Sequence, residues 1–214
     1  MATCAECGYE AAGSFRFCPE CGARLDGRGR EQRKVVTVLF CDVAGSTALG
    51  ESLDAEALRA LLARYFDRMK SIVERYGGVV EKFIGDAVMA VFGLPAVHED
   101  DAVRALQAAA GMQLALPELG IEGRIGVCSG EVVTGTEERL ATGDAVNVAA
   151  RLQQAAQPGE TLLGETTLRL AGDAVEVEPV EALPLKGKRE PVLAWRLVAV
   201  STVLYRQIRK VDIA

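Results

Sequence analysis

The sequence predicts an α+β fold, one mixed sheet carrying helices behind a small metal-stapled segment, and three observations predict it. From Val35 onward, β-branched apolar runs alternate with helical patterns of three- and four-residue period. Two of those runs, 79–84 and 87–92, are joined only by Gly85 and Asp86, a hairpin signal. Ahead of them, four of the 6 cysteines stand as two CxxC pairs within the first 21 residues.

The elements follow in order. Residues 1–26 carry Cys, Gly and Pro punctuation and no period able to build a core, so this segment needs a staple. Cys4 and Cys7 form one pair, Cys18 and Cys21 the other. Each CxxC-Gly turn can present two thiolates, and two such knuckles complete a tetrahedral site, so a zinc ribbon holding one structural zinc is expected. Two disulfides or a redox CxxC are the competing readings, disfavoured in a cytoplasmic chain. Residues 27–33 read as a basic linker and 34–199 as the main domain, with 200–214 a C-terminal segment of no assigned role.

Within the main domain, Val35–Cys41 has the unbroken apolar pattern of a strand buried on both faces. Leu58, Leu61, Leu62, Tyr65, Met69, Ile72, Val73 and Tyr76 mark an amphipathic helix that stops at Gly77-Gly78. A Gly-first link of two residues suits a type II′ turn, which puts Asp86 at the hairpin tip. Pro95 and the His98–Asp101 acidic cluster open a second helix with Val103, Leu106, Ala110 and Leu114 as its apolar side. His98, the only histidine, reads as a capping or surface residue. Ile121–Cys128 is again a strand. Strand, helix, hairpin, helix, strand is the ferredoxin-like βαββαβ order. A helix over 144–156 and strands near 161–163, 175–180 and 192–198 extend it. Cys41 and Cys128 fall in apolar strands and are expected to be inert core thiols.

Composition excludes several classes of function. Half of the 214 residues are apolar, a quarter are charged, and the net charge is -6, so neither nucleic acid nor an anionic membrane is an expected partner. No apolar run approaches the roughly 20 residues that span a bilayer. The N-terminus has neither a basic lead nor an apolar run, and a cytoplasmic location is expected.

Asp42 ends the first strand and Asp86 sits in the hairpin turn. A ferredoxin-like sheet makes those elements neighbours, so two carboxylates converge where divalent cations bridging phosphates need hard oxygen ligands. The following Gly45-Ser46-Thr47 offers backbone N–H groups to phosphate oxygens. Taken singly, Asp42 also reads as a strand-end cap and Asp86 as an ordinary turn residue.

The surroundings of these residues resemble the three main motifs of class III adenylyl/guanylyl cyclases, in the family's order: VTVLFCDVAGST at 36–47, EKFIGDAVMAVFG at 81–93 and GDAVNVAARL at 143–152. The resemblance covers about residues 34–199. It implies that Asp42 and Asp86, with the Val43 carbonyl, hold two Mg²⁺ or Mn²⁺ ions, that Lys82 reads the base, and that Asn147 positions the ribose. Arg151 then stabilises charge on the reacting phosphate, and Lys186 or Lys188 contacts the terminal phosphates. It further implies a head-to-tail homodimer, each site taking its aspartates from one subunit and Lys82, Asn147 and Arg151 from the other. The implied reaction turns ATP, less readily GTP, into a 3′,5′-cyclic nucleotide and pyrophosphate for intracellular signalling. Leu140 stands three residues before Gly143, where the family usually has Asp or Thr. That departure keeps open a second reading, a catalytically degenerate regulatory module that binds nucleotide or a partner. The ribbon, with more acids than arginines, is expected to dock a protein or domain if it docks anything.

Overall fold

The structure, a computed structural model, describes residues 2–4, 7–11, 17–22, 32–134, 143–184 and 191–201. Leu140, Lys186, Lys188 and the 202–214 segment lie outside the described residues.

In the N-terminal segment, β1 (Ala2–Thr3) pairs antiparallel with β2 (Glu10–Ala11). Gly8 N–H donates to the Cys4 carbonyl and Gly22 N–H to the Cys18 carbonyl, so each CxxC closes on itself as a tight turn.

The main sheet has seven strands: β3 (Gln32–Val43), β4 (Val79–Ile84), β5 (Ala87–Phe92), β6 (Gly123–Thr134), β7 (Thr161–Gly164), β8 (Val175–Pro179) and β9 (Ala194–Val200), in the order β4-β5-β3-β6-β7-β9-β8. The β6-β3-β5-β4 half is the expected ferredoxin-like core, antiparallel throughout, and β6 pairs with β7 in parallel. The Ile84↔Ala87 register leaves Gly85 and Asp86 as the turn. Gly85 has φ 63° while, among the described residues, no non-glycine residue has positive φ, the combination a type II′ turn requires.

Alternation in β3 and β5 serves two cores. Leu39, Cys41, Val43, Val88, Ala90 and Phe92 face one layer, and Val36, Val38, Phe40, Met89 and Val91 the other. The first layer is covered by α2 (Ala55–Arg75), α3 (Asp101–Ala115) and α5 (Glu165–Ala171). The second is covered by α4 (Asp144–Ala155). A short helix, α1 (Ser46–Ser52), follows β3. Asp54 caps α2, accepting from the Ala57 N–H at 2.8 Å.

Helix α4 sits unusually close to β6. A Cβ at Gly126 would lie 2.2 Å from the Ala149 carbonyl oxygen and 2.3 Å from the Gln153 nitrogen, so only glycine lets the two backbones meet.

Two expectations need correcting, and the third, for His98, resolves to its surface alternative. The strands β3 and β6 run beyond the apolar segments that signalled them, because their polar ends pair across the ladder from Gln32↔Thr134 to Val43↔Gly123. The α3 face is different: Ala102, Ala105, Leu106, Ala109 and Met112 are buried, whereas Leu114 is exposed. Small alanines let that side approach the sheet and α2. At the start of α3 the buried Asp101 carboxylate, not His98, holds the turn: it accepts the His98 backbone N–H at 2.7 Å and pairs with Arg104, which also reaches Asp100 at 3.3 Å. The His98 imidazole is largely exposed.

Candidate active site

Asp42 is the penultimate residue of β3 and lies on the α4 side of the sheet, continuing the Val36, Val38, Phe40 alternation. Its ladder partner is Arg124 on β6. Arg124 Nη2 donates to Asp42 Oδ2 at 2.6 Å, and Gln153 Nε2 on α4 donates to the same oxygen at 3.0 Å. Asp86, in the two-residue turn between β4 and β5, sits one strand away from the β3 terminus that carries Asp42. β5 pairs with β3, and the turn ending β4 delivers Asp86 beside the β3 terminus.

Burial, followed by the hydrogen bond and charge of Asp86, pushes the Asp42 carboxyl above the usual carboxylate range, and Arg124 pulls it part of the way back. Asp86 Oδ2 is buried and has no hydrogen-bond partner. Two juxtaposed carboxylates with an orphaned buried oxygen form a concentration of negative charge that a divalent cation would neutralise and coordinate. The donor set fits hard metal ions.

Gly45 is the N-cap of α1, and Ser46 and Thr47 are its first residues, shortly after Asp42, so the expected phosphate loop is the start of a helix, whose leading N–H groups have no intrahelical acceptors. Cys41 is fully buried, its thiol pushed up to about 12 by that burial and eased by a hydrogen bond from Tyr65, which suits the inert role expected of it.

Other candidates do not join the pair within the chain. Asn147 and Arg151 lie opposite the side of α4 that buries Ala145, Val148, Ala149 and Leu152 against the sheet; Asn147 is exposed and Arg151 half-buried. Lys82 is exposed on β4, paired with Met89 at the far end of the sheet order. Arg124 and Gln153 were missed by the sequence reading. Arg124 carries a signal only once the β3–β6 register is known, and Gln153 only through its burial beneath α4.

In the ribbon, Cys4 Sγ lies 3.6 Å from Cys21 Sγ and Cys7 Sγ 3.6 Å from Cys18 Sγ, and all four sulfurs fall within 4.8 Å of one another. Disulfide sulfurs would lie about 2.05 Å apart. Sulfurs bound tetrahedrally to one zinc at about 2.3 Å would lie about 3.8 Å apart, which fits the cluster.

A ferredoxin-like sheet with two carboxylates at one end, followed by a helix start, defines an α+β domain with a candidate cation site. The model of the adenylate and guanylate cyclase catalytic domain matches residues 29–199, and the chain belongs to that family. Uncharacterized proteins of Mycobacterium tuberculosis and Mycobacterium bovis are 36% identical over 176 residues, covering 77% of this chain and 31% of their own length, so the chain spans less than a third of these relatives. The adenylyl cyclase CyaB from P. aeruginosa superposes with a TM-score of 0.78 at 32% identity, over 81% of this chain and 98% of that one. A guanylyl cyclase crystal structure gives 0.73 at 32% identity, over 82% and 96%. Among the described residues, no helix is long and apolar enough to cross a membrane.

Proposed function

We propose that the chain is a nucleotidyl cyclase that converts ATP, in preference to GTP, to the 3′,5′-cyclic nucleotide and pyrophosphate at sites shared between two copies of the chain, for intracellular signalling. The observation that carries this reading is the placement of Asp42 at the β3 terminus beside the turn that carries Asp86, whose Oδ2 is buried without a hydrogen-bond partner.

Asp42, Asp86 and the Val43 carbonyl would hold two Mg²⁺ or Mn²⁺ ions. When bound, these ions acidify the ribose 3′-hydroxyl and neutralise the departing pyrophosphate. The N–H groups of Gly45, Ser46 and Thr47 orient the phosphates. Lys82 contacts the base, Asn147 holds the ribose so that its 3′-oxygen faces the α-phosphorus, and Arg151 stabilises charge that grows as the new P–O bond forms and the bond to pyrophosphate breaks. Lys186 or Lys188 meets the terminal phosphates.

The placement of Asn147 and Arg151 on the side of α4 away from their own sheet supports a head-to-tail homodimer, in which they serve the partner's aspartates. The similar structures include both an adenylyl and a guanylyl cyclase, so base preference is the finer part of the proposal. Cys4, Cys7, Cys18 and Cys21 hold one structural zinc, and the ribbon docks another protein or domain. Leu140 favours the second reading, a regulatory domain without turnover. Incubation of purified protein with ATP or GTP and Mn²⁺ separates the two: cyclic product supports the cyclase, and nucleotide binding without product supports the regulatory module.

A further inference from the structure

Gln153 is 5% exposed, and its amide is spent on a carboxylate 111 residues away. A buried glutamine more commonly satisfies backbone groups of the core. Here its Nε2 reaches Asp42 Oδ2 at 3.0 Å, beside the 2.6 Å bond from Arg124 Nη2 to the same oxygen. Two donors on Oδ2 restrain rotation of the carboxyl group and leave Oδ1 outside both bonds. The mounting is stiff: the Gln153 backbone nitrogen would lie 2.3 Å from a Cβ at Gly126, on the strand that pairs Arg124 with Asp42.

We propose that Gln153 is a positioning residue of the metal site, fixing Asp42 for a divalent cation from the inner side of α4. The inference rests on the proposed role of Asp42 and Asp86 as metal ligands, and adds a residue that touches neither metal nor substrate. Helix α4 then has two duties. Its inner side sets the metal carboxylate of its own subunit, and its outer side carries Asn147 and Arg151.

The test is calorimetric titration of Mn²⁺ into nucleotide-free, full-length protein. Gln153→Met keeps the side-chain length and removes the donor; Gln153→Asn keeps the amide and withdraws it by one carbon. Each should weaken Mn²⁺ binding about tenfold, the scale seen when a group that orients a metal ligand is lost. Mn²⁺ affinity unchanged in both variants overturns the proposal. Asp86→Asn, run alongside, tests the underlying reading separately: if it binds Mn²⁺ as wild type does, the metal pair itself is wrong.

A merely structural role for Gln153 is distinguished in mixed dimers of Asp42→Ala and Arg151→Ala subunits, which have one complete site. Gln153→Met on the Arg151→Ala subunit, which supplies the working Asp42, should raise the Mn²⁺ concentration for half-activation about tenfold. On the Asp42→Ala subunit the same substitution should leave that concentration where it was. Equal shifts from both placements mean that Gln153 only supports α4, and the proposal fails.

Discussion

Replacing Asp86 with asparagine should stabilise the metal-free protein while removing its response to metal. Asp42 is raised by burial and then by Asp86, against the pull of Arg124. A carboxyl whose folded pKa is raised contributes stability that is full below its unfolded value of about 4 and is lost as pH rises through the folded value. Above that folded value the metal-free site therefore opposes folding. Two unit charges about 4 Å apart at an effective dielectric near 20 repel by roughly 4 kcal/mol. Partial exposure and the Arg124 guanidinium reduce the net to about 1 kcal/mol. For a chain of this size that is a rise of about 2–4 °C in melting temperature. The assay is thermal unfolding with chelator between pH 4 and 8, repeated with Mn²⁺. Asp86→Asn should melt higher than wild type at pH 7, and the gap should narrow as pH falls and the raised Asp42 carboxyl takes up its proton. Saturating Mn²⁺ at about 100 times its Kd should stabilise wild type by about 2.7 kcal/mol and leave Asp86→Asn unmoved. A variant that melts lower at pH 7, or still gains from Mn²⁺, refutes the reasoning.

Other predictions follow from the packing and the ribbon. Elemental analysis should find one zinc per chain, and Cys4→Ser should lose it; a zinc-free protein with two disulfides would contradict the ribbon reading. Gly126→Ala should cost about 2–3 kcal/mol, because its Cβ collides with the α4 backbone at Ala149 and Gln153 rather than with a movable side chain; chemical denaturation with an unchanged midpoint would show that α4 has slack.

The parts of the site that sequence revealed are those where one residue is marked by its own position. Asp42 stands at the end of an apolar run, Asp86 follows the glycine of a two-residue turn, and the cysteines declare their spacing. Arg124 and Gln153 carry no such mark, since what defines them is a partner 82 and 111 residues away, visible only through the β3–β6 ladder and the seating of α4. Helix α1 was unreadable because seven residues with Gly50 and two serines present no amphipathic side. Helix α5 is equally short. The α3 face was misread because alanine weighs little in a hydrophobic pattern yet buries well where helix and sheet come close.

The shared site is tested most directly by mixing two damaged proteins, Asp42→Ala and Arg151→Ala. Each alone should make cyclic nucleotide at least about a hundredfold more slowly than wild type, since one lacks a metal carboxylate and the other a transition-state contact. With free subunit exchange, half of the dimers in an equal mixture are mixed, and each has one intact site of two, so activity should return to about a quarter of the wild-type value. No recovery after subunit exchange has been demonstrated independently would contradict a site built from both copies of the chain.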